Sequence, residues 1–384
     1  MQVVSFIVAA LYSGIRCWRW VRSAGDERMM WGQLGLFSGM VCLGSVAGAV
    51  AWSAAMQKNS FFYEASAPGV TRQQTYMRFA STLRFGAVLL ILNGFEFLFL
   101  IISKLMLLGW LVENATQSSQ ENVVGMSGVR RRWLNGRALP FVYRIMTGGV
   151  VVGCVLGLVA DAAAGAYLVK EAVLFDQAAA SCDAAGNESN SSLTFNNAAS
   201  AVATEAATSQ SVQAGSEALT LLLVCIAYFV IVSWSVAIFR IVERVGAHAL
   251  VFTVDQVNAQ QPEDNAARIV ADTMKAAAQH RRRLTAACVI VLITFPARAA
   301  FNLLLAYAAF DDSYNTSCGP CDPCQTTPFL ISSWLDYTPQ FQPIVVAVSS
   351  PLPLMLSIWL LTKVHARARL IAADVQRARV GDVL

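Results

Sequence analysis

The sequence predicts an all-α, polytopic membrane protein with seven transmembrane helices, an N-terminus outside and a C-terminus in the cytoplasm. Of its 384 residues, 56% are hydrophobic and only 14% are charged, whereas about a quarter of the residues in soluble proteins are charged. The hydrophobic residues form stretches close to the roughly 20 residues that a helix needs to cross a bilayer. Most Lys and Arg residues lie in alternate connections, the pattern that sets the orientation of membrane proteins. The net charge of +4 therefore reflects topology, and nucleic-acid binding is not expected.

The first two predicted transmembrane helices are residues 3–20 and 31–56. Arg16, Arg19 and Arg22 follow the apolar start of the chain, which is the reverse of the order in a cleavable signal peptide. We therefore expect an uncleaved first helix. The second helix is rich in Gly and Ala, which favours close packing against its neighbours inside the bundle.

The third, fourth and fifth helices are separated by connections of opposite charge. The connection at 113–144 carries five Arg residues, which places it in the cytoplasm. The connection at 171–217 holds six acidic residues and no Lys or Arg, so it is expected outside. The polar connection at 57–82 is also expected outside, although it carries basic residues. The three helices are residues 83–112, 145–170 and 218–239.

The sixth helix, residues 285–310, has a single charged residue among its 26, Arg298. Three Arg residues precede this helix and two Asp residues follow it. Its start is therefore expected in the cytoplasm and its end outside. Pro296 removes a backbone donor near the middle of the helix and predicts a kink there.

The seventh helix, residues 343–361, contains Pro351 and Pro353, which predict further kinks. It completes a transmembrane domain at 1–366. The remaining residues, 367–384, form a basic tail that we expect to lie along the inner membrane surface, in contact with lipid.

The two expected external loops, 171–217 and 313–342, have the features of a secretory compartment. They contain glycosylation sequons, which indicate an integral protein of the plasma membrane or the endomembrane system of a eukaryotic secretory pathway. A further sequon, at Asn114, lies in the expected cytoplasmic connection. The external sequons are those at Asn187, Asn190 and Asn315.

The same loops contain four of the nine cysteines. Cys-Gly-Pro-Cys is the redox motif of thioredoxins, but there it opens a helix after a strand, a context absent here. Zinc ligation is also disfavoured, because an oxidising compartment favours disulfides over thiolate ligands. We expect two disulfides whose pairing is open, since each alternative joins Cys182 to a different partner among Cys318, Cys321 and Cys324.

Three charges are expected deep inside the membrane: Glu96, Asp161 and Arg298. Counting about 1.5 Å per residue from the outer helix ends places them about 14–18 Å deep, within one helical turn of one another. Unpaired charges there cost at least about 2.5–3.5 kcal/mol each, so we expect mutual pairing if the third, fourth and sixth helices are neighbours. Four interpretations stay open: an ion pair that fixes helix register, a ligand or ion site, snorkelling to the interface, and a misplaced span. Lys104, nearer the cytoplasm, is expected to snorkel.

No catalytic set is evident. The three His residues are not at metal-ligand spacing, and no Gly-rich phosphate loop or Ser-His-Asp set occurs. We therefore expect no enzymatic activity, no cofactor and no metal site.

Three short pieces of the sequence carry a resemblance to a known family. They cover at most about a tenth of the chain. They are Ala10-Leu-Tyr-Ser13 through Arg28-Met-Met-Trp-Gly-Gln-Leu34, Ile293-Thr-Phe-Pro-Ala-Arg298 with Phe310-Asp311, and Leu352-Pro-Leu354. These pieces resemble the seven-helix family of tobamovirus multiplication proteins and their animal orphan G-protein-coupled-receptor-like relatives. The resemblance implies an endomembrane scaffold or regulator that acts by binding rather than by catalysis.

The sequence leaves three functions open. The first is a receptor-like or scaffolding protein that binds a ligand or protein partner at its outer face and acts through its basic cytoplasmic loops. The second is a transporter or channel whose path uses the intramembrane charges, although no internal repeat of the kind common in transporters is evident. The third is a structural subunit of a membrane assembly. The first is the principal expectation.

Overall fold

A computed structural model describes residues 2–22, 28–122, 138–182, 186–257, 264–312, 344–345, 348–349 and 351–360. Within these residues every regular element is a helix and there is no strand, which confirms the expected all-α class. The helices are α1 (Gln2–Arg22), α2 (Arg28–Ala65), α3 (Arg72–Asn122), α4 (Ala138–Ala180), α5 (Asn190–Val257), α6 (Asp264–Asp312) and α7 (Pro351–Leu360).

Five of these helices, α2 to α6, contain segments long and apolar enough to cross a membrane, with mean hydropathies from 1.9 to 2.6. The chain is therefore a helical membrane protein. Neither α1 nor the ten described residues of α7 belong to this set. The five segments are Leu34–Ala65, Arg72–Thr116, Ala138–Ala180, Asn190–Arg240 and Arg281–Tyr307.

Both α4 and α5 are longer than the sequence predicts. The stretch at 171–217, expected as an external loop, is mostly helical, because α4 continues to Ala180 and α5 begins at Asn190. This stretch is rich in Ala, the residue with the highest helix propensity. The 68 residues of α5 extend about 100 Å at 1.5 Å per residue, well beyond the hydrocarbon thickness of about 30 Å. Part of this helix therefore lies outside the membrane.

The N-terminal part of α5 buries one face. Ala199, Val202 and Ala206 are buried at a spacing of three and four residues, which is the period of one helix face. Ala206 packs in a cluster with Ala87 of α3 and Leu168 of α4. The small Ala side chains let the three helices approach closely, so the Ala/Ser-rich run is a packed helix.

Short connections join α2 to α3 and α4 to α5. Gly69 and Gly186 adopt φ angles of 84° and 77°, the left-handed conformation that Gly takes without steric cost. Thr71 and Gln74 form a capping box at the start of α3, in which each side chain accepts the other's backbone N–H at 3.3 Å. The backbone N–H of Gln73 donates to the carbonyl of Gly186 at 3.3 Å. The α2–α3 and α4–α5 connections are therefore in contact with each other.

Close packing also joins α1 to α2. A Cβ atom on Gly48 would lie 2.5 Å from the ring of Phe6, so only Gly leaves room for this ring. Phe6 packs in a cluster with Trp52 and Ala55 of α2. The small residues of α2 thus permit the close approach that the sequence predicts for this helix.

The chain divides into two compact units. The residues of the polar cluster described below all belong to the first unit. The first unit comprises Met1–Ser103, Gly149–Leu223 and Phe295–Leu352, and the second comprises Lys104–Gly148, Val224–Thr294 and Pro353–Leu384.

Several predicted features lie outside the described residues and stay predictions. They are the external loop at 313–342 with Asn315, Cys318, Cys321 and Cys324, and the basic tail at 367–384.

Candidate functional site

Arg298 of α6 and Glu96 of α3 form a buried ion pair. Nη1 of Arg298 lies 3.3 Å from Oε1 of Glu96, and the two side chains are 2% and 0% exposed. The guanidinium carbon of Arg298 also lies 5.5 Å from the ring centre of Phe97, a cation–π contact. A carboxylate and an aromatic ring thus stabilise the single charge that the sequence predicts in the sixth helix.

Glu217 of α5 belongs to the same site, although the sequence did not predict it there. Gln213 donates from Nε2 to Oε1 of Glu217 at 2.6 Å. Asn302 donates from Nδ2 to Oε2 of Glu217 at 2.8 Å. Both carboxyl oxygens of Glu217 therefore accept a hydrogen bond from a neutral amide. Glu217 also interacts electrostatically with Arg298 and Glu96.

The expected loop boundary explains why Glu217 was missed. Residues 171–217 were assigned to an external loop, so its last residue was not considered as part of a helix. Gln213 and Glu217 are four residues apart, the spacing of neighbours on one helix face. That spacing, just before an apolar stretch, is the pattern that could have placed both residues in the bundle.

Asp161 of α4 is buried beside Glu217. Its side chain is 1% exposed, and neither of its carboxyl oxygens has a hydrogen-bond partner among the described residues. Gly94 of α3 faces it, and Oδ2 of Asp161 occupies the space that a Cβ atom on Gly94 would need. Asp161 interacts electrostatically with Glu217. The structure therefore brings all three predicted intramembrane charges into one unit and adds Glu217.

Two glycines of α4 bring α4 and α5 together. Gly157, one turn before Asp161, would place a Cβ atom 3.2 Å from Oγ of Ser216 and 4.0 Å from Cγ of Glu217. Gly153, one turn earlier, faces Thr220 in the same way. Because larger residues would separate the helices, these glycines allow Asp161 and Glu217 to lie near each other.

The site holds more acid than base. We define the polar cluster as Glu96, Asp161, Gln213, Glu217, Arg298 and Asn302, all at most 7% exposed. It contains three carboxyl groups and one guanidinium. An ionised carboxylate without a counter-charge is very costly in an apolar interior, so such a group is normally neutralised. The polar cluster can therefore take up positive charge. In the described part of the chain, no group of three or more His, Cys, Asp and Glu residues could hold a metal ion.

The structure also describes the three prolines that the sequence predicts as kink positions. Pro296 lies inside α6, and the helix continues on both sides of it. Pro351 and Pro353 both lie in the helical residues of α7. The kinks themselves stay predictions.

Three of the cysteines and sequon asparagines predicted outside the membrane are described, and all three lie near the α4–α5 connection. Cys182 follows the end of α4, and its thiol lies 3.5 Å from the carbonyl oxygen of Ala178. Asn187 lies between α4 and α5, and Asn190 is the first residue of α5. Both asparagines are exposed. Disulfide formation and glycosylation stay predictions.

Lys104, in the second unit, differs from its expectation. Its side chain is buried rather than extended towards solvent, so it does not snorkel in this structure. The hydroxyl of Tyr228 donates to the backbone carbonyl of Lys104. The hydroxyl of Tyr143 donates to the next carbonyl, that of Leu105, at 3.1 Å. Two tyrosines therefore hold this turn of α3.

Comparison with known proteins provides no family: no protein-family model, no curated protein and no solved structure matches the chain.

Proposed function

We propose that the chain is a transporter or channel for protons or other small cations, whose path passes through the polar cluster. One observation carries this proposal: three carboxyl groups and a single guanidinium are buried together between otherwise apolar helices. Ionisable residues inside membranes are costly and are typical of ion pathways and proton relays. An ion pair that only fixed helix register would need Glu96 and Arg298, whereas Asp161 and Glu217 add two carboxyl groups that this pair does not require.

The proposal includes seven membrane crossings, with the N-terminus outside and the C-terminus in the cytoplasm. The contact between Gln73 and Gly186 supports it, because the α2–α3 and α4–α5 connections must then lie on one side of the membrane. The hydroxyl of Tyr76 donates to the carboxylate of Glu188 in the same region. The predicted order of membrane crossings places both of these connections outside.

The basic residues near the α2–α3 connection are compatible with this orientation. Arg78 lies 3.9 Å from the carboxylate of Glu64. Arg84 pairs with Asp176 of α4. Both arginines are therefore paired with acids.

Reconstitution into proteoliposomes tests the transport function. We expect a flux of protons or monovalent cations under an imposed gradient, followed with a pH-sensitive or cation-sensitive dye. Glu217→Gln should lower this flux to the level of protein-free vesicles. Asp176→Asn, which removes a partly exposed acid of α4 outside the polar cluster, is the matched control and should retain the flux. A wild-type flux equal to that of empty vesicles, or one unaffected by Glu217→Gln, would exclude the proposal.

The second candidate is a receptor-like or scaffolding protein of the plasma membrane or the endomembrane system. The observation that favours it is the α4–α5 connection, which holds exposed Asn187 and Asn190 and contacts the α2–α3 connection. An ordered outer face of this kind suits the binding of a ligand or partner protein.

Affinity purification from a eukaryotic host separates this candidate from transport. Enrichment of G proteins or small GTPases over a control membrane protein would support a receptor-like function. Recovery in a large complex of constant stoichiometry would instead support a structural subunit of a membrane assembly. Recovery without partners would count against both.

A further inference from the structure

We propose that Asp161 is the proton-binding residue of the polar cluster, and that Glu96 and Glu217 bind a proton less readily. The cation taken up is then a proton rather than a metal ion. The inference rests on the proposed transport function for the role of this proton. The protonation of Asp161 itself can be measured without a transport assay.

Glu96 and Glu217 each have partners that stabilise a carboxylate, and Asp161 has no such hydrogen bond among the described residues. Glu96 lies 3.3 Å from the guanidinium of Arg298, a permanent positive charge. Both oxygens of Glu217 accept amide hydrogen bonds, at 2.6 and 2.8 Å. A carboxylate offers only acceptors, so two donors match its ionised form, whereas a protonated acid would present a hydrogen to one of them.

The surroundings of Asp161 favour its neutral form. Neither of its oxygens accepts a hydrogen bond from any described residue, and its nearest neighbour on α3 is Gly94, which has no side chain. Glu217 of α5 interacts with it electrostatically, and Glu96 lies two residues after Gly94 on α3. Arg298 of α6 is already paired with Glu96. Like charge beside a desolvated acid disfavours its ionisation, so Asp161 binds a proton.

A metal ion fits the same position poorly. Calcium takes six to eight oxygen ligands, and magnesium takes six at near-octahedral geometry. The amides of Gln213 and Asn302 donate to the two oxygens of Glu217, and Arg298 lies against Oε1 of Glu96. Asp161 would be left with few oxygen ligands beside it. One carboxyl oxygen is enough for a proton.

Protonation changes the charge of the polar cluster by one. With three carboxylates and one guanidinium the net charge is −2, and when one oxygen of Asp161 forms an O–H bond it becomes −1. This relieves repulsion between Asp161 of α4 and Glu217 of α5. Proton release would restore this repulsion. Protonation of Asp161 would therefore act on the packing of α4 against α5, which are in close contact at Gly157.

Infrared difference spectroscopy of the full chain in lipid nanodiscs tests the assignment. We expect the C=O stretch of a protonated carboxylic acid at neutral pH, shifted in D2O and lost at alkaline pH. Asp161→Asn should remove this band, and Asp176→Asn should leave it unchanged. Glu171 is another buried acid of α4, 8% exposed. Its contribution to the C=O band is determined from the spectrum of Glu171→Gln and subtracted.

The outcomes separate the proton site from the transport function. Absence of the band in the wild type, or its loss in Glu217→Gln with retention in Asp161→Asn, would overturn the assignment. A band that depends on Asp161 in a protein without flux would support the assignment and overturn only the transport function. Should Asp161→Asn fail to fold, Asp161→Glu keeps the acid and must shift the band, and an unshifted band would mean that the proton lies elsewhere.

Discussion

The guanidinium of Arg298 lies 3.3 Å from the carboxylate of Glu96, across 202 residues of sequence, and both side chains are nearly inaccessible to solvent. Such a pair is more sensitive to the loss of one partner than to the loss of both. Removing one partner leaves an uncompensated buried charge, which costs about 3–5 kcal/mol. Replacing both partners by apolar residues is often close to neutral.

The ion pair predicts the result of a double-mutant cycle. Arg298→Leu should lower the free energy of unfolding by about 3–5 kcal/mol, and the double variant Glu96→Leu/Arg298→Leu should recover much of this loss. Thermal unfolding in detergent measures both. Arg84→Leu, which breaks the partly exposed pair with Asp176, is the control and should cost less than about 1 kcal/mol. A neutral effect of Arg298→Leu would mean that Arg298 reaches water or lipid headgroups.

Activity in the same variants separates register from function. Recovery of stability without recovery of flux would mean that the charges serve transport. Recovery of both would mean that they only hold the helices in place.

The approach of α3 to Asp161 predicts a cost for a single methyl group. Gly94→Ala would place its Cβ atom where Oδ2 of Asp161 lies, so the carboxyl must move. We expect a loss of about 1–3 kcal/mol in unfolding free energy, the usual cost of overpacking. Gly215→Ala is the matched control, because nothing lies within 4 Å of its added Cβ atom. It should be neutral or stabilising by up to about 1 kcal/mol. Equal stability of the two variants would contradict the position of Asp161.

The proposed orientation predicts which sequons carry glycan in a eukaryotic host. Asn187, Asn190 and Asn315 should carry endoglycosidase-sensitive mass, whereas Asn114 should carry none. Asn114 lies within α3, where its amide donates to the carbonyl of Trp110 at 2.8 Å. Asn→Gln variants followed by gel mobility measure each site separately. Glycan at Asn114 would reverse the orientation.

The external cysteines predict a covalent link between two loops. Mass mapping without reduction should recover a peptide that joins Cys182 to Cys318, Cys321 or Cys324. Cys182→Ser should then lower the unfolding free energy by about 2–4 kcal/mol, because the bridge closes a long loop. Cys154→Ser is the control, because it removes a buried thiol of α4 that is not expected to form a disulfide. Under reducing conditions the disulfide is broken, so Cys182→Ser should then have little effect. Four free thiols in the external loops would contradict the link.

The composition of the sequence did not predict how far α4 and α5 continue beyond their predicted transmembrane segments. The stretch at 171–217 was assigned to an external loop because it holds six acidic residues, no Lys or Arg, and two glycosylation sequons. In the structure, Ala199, Val202 and Ala206 form the buried face of α5, while Ser200, Thr204 and Thr208 are exposed. A helix that leaves the membrane loses its apolar surroundings but keeps a narrow packed face, and that face is hard to recognise when it consists of Ala.

The sequence identified the intramembrane charges but did not show which of them form an ion pair. Glu96, Asp161 and Arg298 are conspicuous because charged residues are rare in apolar stretches. Their depth follows from residue count at about 1.5 Å per residue. Depth does not say which carboxylate faces the arginine, since this depends on the rotation of each helix and on its neighbours. The structure pairs Arg298 with Glu96 and places Asp161 beside Gly94.

The sequence by itself determined that this is a helical membrane protein, where most of its apolar segments lie, and which charges they contain. These properties follow from local composition, because a bilayer requires about 20 apolar residues wherever the chain crosses it. Only the tertiary structure decided that Gln213, Glu217 and Asn302 join those charges and that Asp161 has no hydrogen-bond partner among the described residues. The reason is physical: hydrogen bonds and ion pairs act over about 3 Å, and residues far apart in sequence reach that distance only when helix packing brings their faces together.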